Sequence, residues 1–124
     1  MKRNKLEAEG LLPLTPAVFH ILLTLADGEK HGYAIMREVA SHTDGKMRLG
    51  PGALYGSIKW MLGDGLIAES DERPDPQIDD ERRRYYRLTE FGRRVVAAEA
   101  GRLASLIRVA RSKRLLKVTK PAKL

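Results

Sequence analysis

From Thr89 onward the chain repeats apolar residues at Val96, Ala100, Leu103, Ile107 and Ala110, in steps of four, three, four and three, and Leu106 and Val109 broaden the stripe. Thr89 is a good helix cap, and the spacing predicts a helix over 89–116, roughly 28 residues and roughly 42 Å long at 1.5 Å per residue. With 124 residues the chain has material for one core and too little for two. A domain of that size cannot cover so long a seam. A second copy of the chain is therefore the expected partner, with Phe19 joining Val96, Ala100, Leu103, Ile107 and Ala110 in the dimerisation set.

Upstream, helix starts and stops divide the chain into short elements. Thr15-Pro16 opens a helix, because threonine caps a free N–H and proline at the first helical position gives up no hydrogen bond. Val18, Ile21, Leu22 and Leu25 form its buried face, and Asp27-Gly28 ends it. A second periodic stretch begins at Gly32 and is expected to bury Tyr33, Met36, Val39 and Ala40 before Asp44-Gly45. Lys46 to Leu49 reads as an extended link. Gly50-Pro51-Gly52 then opens a third helix with Leu54, Ile58, Met61 and Leu62 on one side, and Tyr55, Lys59 and Ser57 away from it. Leu66 to Ser70 reads as a strand. Pro74 and Pro76 forbid its continuation, and Arg82 to Leu88 alternates faces as the returning arm of a hairpin.

The fold class that follows is mainly α with a small β-hairpin. A winged helix-turn-helix is expected over 15–88 and a long C-terminal dimerisation helix over 89–116, between a flexible N-terminal arm at 1–14 and a basic disordered tail at 117–124.

The formal net charge of +7 points to a polyanion, but its distribution matters more than its size. Lys113, Arg114, Lys117, Lys120 and Lys123 stand in a stretch without acids and supply five of those charges, while residues 15–112 hold only one. The case for nucleic acid then depends on where a few cations sit. Lys46 and Arg48 precede the third helix, and either flank a groove or decorate a solvated loop. Lys59 on that helix reaches a phosphate or a guanine edge, or is simply solvated. Tyr55 offers a hydroxyl to phosphate or a ring to a thymine methyl, or else packs. On the returning strand, alternation puts Arg82 and Arg84 on one face and Arg83 on the other, available to phosphate or to Asp79, Asp80 and Glu81 next door.

These patterns, taken together, resemble the PadR family of bacterial transcriptional regulators, in particular its small class with a single C-terminal helix. The resemblance rests on His31-Gly32-Tyr33, on Gly52-Ala53-Leu54-Tyr55-Gly56-Ser57-Ile58-Lys59, on Gly65-Leu66-Ile67, and on Arg83-Arg84-Tyr85-Tyr86-Arg87-Leu88-Thr89-Glu90-Phe91-Gly92, in that order. It implies a homodimer that binds an inverted repeat in double-stranded promoter DNA and usually represses, often with release by a small molecule. Separately from the resemblance, a small hydrophobic effector is expected between the C-terminal helices and the first helix, near Phe19, Leu103 and Ile107. The resulting candidate DNA-binding set is Tyr33, Lys46, Arg48, Gly52, Tyr55, Ser57, Lys59, Arg82 and Arg84. Two departures qualify the resemblance. The wing tip, 75–81, is acidic where many relatives are basic or glycine-rich, and Trp60, the one tryptophan, is on the third helix rather than the last.

Two rival readings stay open, a winged-helix protein-interaction adaptor and a nonspecific nucleic-acid binder acting through the basic tail; other functional classes find little in the sequence. The absence of cysteine excludes thiol nucleophiles, disulfides and zinc ribbons. His20, His31 and His42 recur every eleven residues, but Gly28 and Gly32 break any shared helical face, so no metal and no other cofactor is expected. Neither a phosphate-binding glycine loop nor an organised nucleophile and base is present, and no enzyme is expected. The N-terminus lacks an apolar core of signal-peptide length, and no apolar run approaches the roughly 20 residues of a membrane span. A cytoplasmic location with no membrane partner is the expectation.

Overall fold

The computed structural model describes residues 5–70 and 84–117. Five helices and three short strands follow one another as α1 (Lys5–Glu9), α2 (Pro16–Thr24), β1 (Lys30–His31), α3 (Gly32–His42), α4 (Pro51–Gly63), β2 (Ile67–Glu69), β3 (Tyr85–Leu88) and α5 (Glu90–Ser112), with a 3-10 turn at Leu25–Asp27 closing α2. The sheet is antiparallel in the order β1-β3-β2, pairing Lys30 with Tyr86 and Ile67 with Leu88. This is a winged helix-turn-helix with a long helix after the wing. β1 escaped the sequence reading because two residues show no alternation.

Capping explains where the helices begin. The Thr15 side chain accepts the Val18 N–H at 3.3 Å and leads into Pro16. His31 does the same for α3, its Nδ1 accepting the Ala34 N–H at 3.0 Å while its ring meets Tyr85 edge-on. That pairing gives the His31-Gly32 step a structural role, as the cap that joins β1 to α3. Thr89 serves α5 twice over: its Oγ1 accepts the Gly92 N–H at 2.9 Å and donates to the Gly65 carbonyl at 2.6 Å.

The helix ends are equally local. α3, α4 and α5 each finish with a residue of positive φ (Asp44, Gly65 and Arg114), and the next N–H reaches back five residues, Gly45 to Ala40, Leu66 to Met61 and Leu115 to Ala110. For α5 this closure comes at Ser112, so the helix has 23 residues and about 34 Å of length rather than continuing to 116. The two hydrogen bonds formed by the N–H groups of Arg114 and Leu115 satisfy the last carbonyls and stop it there.

One core gathers Ile21 and Leu22 from α2, Leu25 from the turn that closes it, Ile35 and Val39 from α3, Leu54, Ile58 and Met61 from α4, Leu66 and Ile67 at the wing, Tyr86, and Val95 and Val96 from α5. Burying a leucine or isoleucine of this kind contributes about 1.5–3 kcal/mol. Two expected core positions lie outside. Tyr33 is 53% exposed and Ile35 takes the inward place, because α3 turns Ile35 and Val39, one helical turn apart, toward α2 and α4. Leu62 is exposed at the edge of the α4 stripe.

At the N-terminal end, residues 5–14 differ from the free arm expected over 1–14. α1 lies against α5, Ala8 is buried, and the Leu14 N–H donates to Glu99 Oε2 at 2.6 Å. The expected wing tip at 75–81, Arg82, Arg83 and the tail beyond 117 lie outside the described residues.

Candidate nucleic-acid interface

With Leu54, Ile58 and Met61 directed inward, the 100° step of the helix assigns Gly52, Gly56, Lys59 and Gly63 to the outer face of α4, and all four are exposed. Among the described residues no atom lies within 4 Å of the place where a Cβ would stand on Gly52, Gly56 or Gly63. Intramolecular packing therefore does not require glycine at these positions, and glycine in a helix interior costs about 0.5–1 kcal/mol relative to alanine. The outer face is a nearly bare backbone surface with Lys59 as its cation.

The other candidates divide by environment. Lys46 and Arg48 are exposed on the link that runs into α4, and the Arg48 guanidinium extends over Gly45. Tyr33 is exposed on α3, where the Arg37 guanidinium lies 5.2 Å from its ring centroid. Arg37 was not singled out by sequence reasoning. The signal available was its position one helical turn beyond Tyr33 on a face with no apolar demand.

Tyr55 is half-buried rather than exposed. Its ring seats against Gly32 so closely that a Cβ there would stand 2.7 Å from the hydroxyl oxygen. Gly32 and Tyr55, from two separate sequence motifs, thus form one contact that sets α3 against α4. Ser57 is half-buried on the side of α4 that faces the N-terminal segment, away from Lys59. Arg84 is tied to Glu69 across the hairpin at 3.4 Å, an intramolecular pair with a partner other than the wing-tip acids. Of the wing arginines, Arg82 and Arg83 lie outside the described residues.

Two further features bear on charge. The Lys30 ammonium is satisfied within the chain, donating to the Thr24 carbonyl and to Asp27 at 2.5 Å each. Among the described residues no cluster of His, Asp or Glu side chains could hold a metal ion, and no helix is long and apolar enough to cross a membrane.

Of the residues expected in the dimer seam, Val96 is 6% exposed within the single chain and packs in its own core. The reason is position along α5: the first turns are covered by the chain's own body, and the same stripe runs out from under it further on. Phe19 and Leu103 are half-buried, Ala100 is exposed, and Leu106, Ile107 and Val109 are exposed large hydrophobic residues.

The order of helices and the antiparallel hairpin are those of a winged-helix fold. Residues 21–98 match the model of the transcriptional regulator PadR-like family, and the chain belongs to that family. A transcriptional regulator of Mycobacterium tuberculosis strain H37Rv is 35% identical over 89 residues, covering 72% of this chain and 77% of its own length. A 37.1 kDa protein in transposon TN4556 of Streptomyces fradiae is 36% identical over 89 residues, and there the match covers 69% of this chain and only 22% of the relative. Among solved structures, a PadR family transcription regulator from Clostridium difficile shares the fold at a TM-score of 0.64 and 21% identity, over 79% of this chain and 97% of that one.

Proposed function

We propose that the chain is a homodimeric transcriptional repressor that binds a near-palindromic operator in double-stranded DNA and is released by a small hydrophobic effector. The observation that carries this reading is that Lys46, Arg48 and Lys59 are exposed and pair with no acid among the described residues, whereas Lys30 and Arg84 are neutralised inside the chain. Free cations on a helix and on the link leading into it suit phosphates on either side of a major groove, which is about 12 Å wide. The bare outer face of α4 suits close approach to the groove, with Tyr33 and Arg37 on α3 placed for the flanking backbone.

The exposed apolar stripe at Leu106, Ile107 and Val109 supports dimerisation through α5. Twofold symmetry then sets the two α4 helices in successive major grooves, about 34–36 Å apart. An effector acts only by binding one arrangement of the two reading heads better than the other. Selection of bound duplexes from a random pool tests the reading: an enriched inverted repeat with half-sites about one helical turn apart is expected, and enrichment of no motif would contradict it.

A further inference from the structure

The segment after α1, the start of α2 and one side of α4 border an open pocket of about 400 Å³, within the range of small-molecule sites. Leu11, Leu14 and Val18 make its apolar wall, and Ser57 and Trp60 face them from α4. Among the described residues none of the lining side chains is charged. Trp60 is 44% exposed, a large flat ring at the rim of an apolar concavity. The polar groups at hand are hydroxyls and the indole N–H. The Thr15 oxygen already accepts the Val18 N–H, leaving its proton to donate, and Ser57 makes no side-chain hydrogen bond among the described residues.

An uncharged lining favours a neutral occupant over a strongly ionic one, since a charge that loses water there finds no partner. An exposed indole face favours an aromatic ring, which gains offset stacking beyond its area. Hydroxyl and indole donors favour an acceptor on that ring. We propose that this pocket binds a neutral, flat aromatic molecule carrying a hydrogen-bond acceptor, stacked on Trp60 with the acceptor on the Ser57 hydroxyl.

The location gives such a ligand leverage. One wall is α4, and the other is the segment whose Leu14 N–H is held by Glu99 of α5. A molecule between them touches both the proposed reading helix and the strap anchored to the proposed dimer helix. It lies elsewhere than the effector seat expected near Phe19, Leu103 and Ile107. Coupling to operator affinity rests on the DNA-binding reading, whereas occupancy of the pocket does not.

Trp60 is the only tryptophan in the chain, so its fluorescence reports this pocket alone. Titrating the full chain with 4-nitroanisole, a neutral flat quencher with acceptor oxygens, is expected to quench Trp60 saturably with one site per chain. Ser57→Phe, which fills the pocket, is expected to abolish saturation, and Ser57→Ala to weaken binding about three- to tenfold through the lost hydrogen bond. Circular dichroism verifies that each variant is folded. Quenching that rises linearly, as for a free tryptophan derivative, overturns the proposal, as does a folded Ser57→Phe variant that binds like the wild type. If Ser57→Phe does not fold, Ser57→Ala decides, and unchanged affinity overturns the site. A chain that shows the saturable site but enriches no DNA motif would keep the pocket and lose the DNA reading.

Discussion

Glu99, midway along α5, accepts the backbone N–H of Leu14 at 2.6 Å across 85 residues of sequence. The same carboxylate receives the Arg102 guanidinium and is 1% exposed. One buried acid thus fastens the N-terminal segment to the helix that leaves the domain. Glu99→Ala strands that N–H and is expected to cost about 1–3 kcal/mol of folding stability, read by urea denaturation. Glu99→Gln keeps an acceptor and should lose less.

The hydrogen bond from Arg102, helped by the Leu14 N–H, holds the Glu99 carboxyl below the usual carboxylate range although burial pushes the other way. A carboxyl lowered in the folded state contributes its stability above its unfolded pKa and loses it as pH falls through the folded value. Thermal stability should therefore be level near neutral pH and decline through and below the usual carboxylate range. Glu99→Gln should flatten that decline. Asp27 is lowered by the hydrogen bond from Lys30, but it sits in solvent and adds little.

Two glycines should respond in opposite ways. A Cβ on Gly92 would stand 1.9 Å from the Leu66 carbonyl oxygen, so Gly92→Ala must push α5 off the wing and should cost about 3 kcal/mol or more. Gly56 faces open space, and Gly56→Ala should raise stability by about 0.5–1 kcal/mol. If the bare face of α4 meets DNA, the same substitution lowers operator affinity. Melting and DNA titration of this one variant separate the two effects, and a gain in both would contradict close approach.

For assembly, Ile107→Asp places a charge on the uncovered part of the α5 stripe. It should shift the sedimentation coefficient to that of a monomer while leaving the melting of the domain core nearly unchanged. Val96→Ala, by contrast, acts within the chain's own core and should cost about 1–2 kcal/mol without a specific effect on association.

Much of the fold was legible because its signals are local. Thr15-Pro16, Gly50-Pro51 and Thr89 mark helix starts that the structure keeps, and the α4 stripe at Leu54, Ile58 and Met61 emerges from spacing alone. What stayed hidden depends on tertiary partners. Tyr33 and Ile35 are both apolar enough for the inside of α3, and only packing against α2 and α4 chooses between them. Tyr55 reads as a contact residue until Gly32, more than twenty positions earlier, supplies its seat. Glu99 carried no sequence signal at all, since its burial depends on a segment from the other end of the chain. The cations are easily found in sequence. Whether each is free or paired is decided by tertiary placement, as when the hairpin brings Arg84 to Glu69.

Sequence-specific operator binding through α4 and its approach is tested most directly by fluorescence anisotropy on the duplex selected from the random pool, over a salt series. Wild-type protein should bind far more tightly than to scrambled DNA, with affinity falling steeply as salt rises. Lys59→Ala should weaken binding, and if Lys59 of each protomer meets a phosphate the slope of log affinity against log salt should fall by about 1.8 per dimer. Equal affinity for scrambled DNA, or a folded Lys46→Ala, Arg48→Ala, Lys59→Ala triple variant that binds as tightly as wild type at every salt concentration, would contradict it.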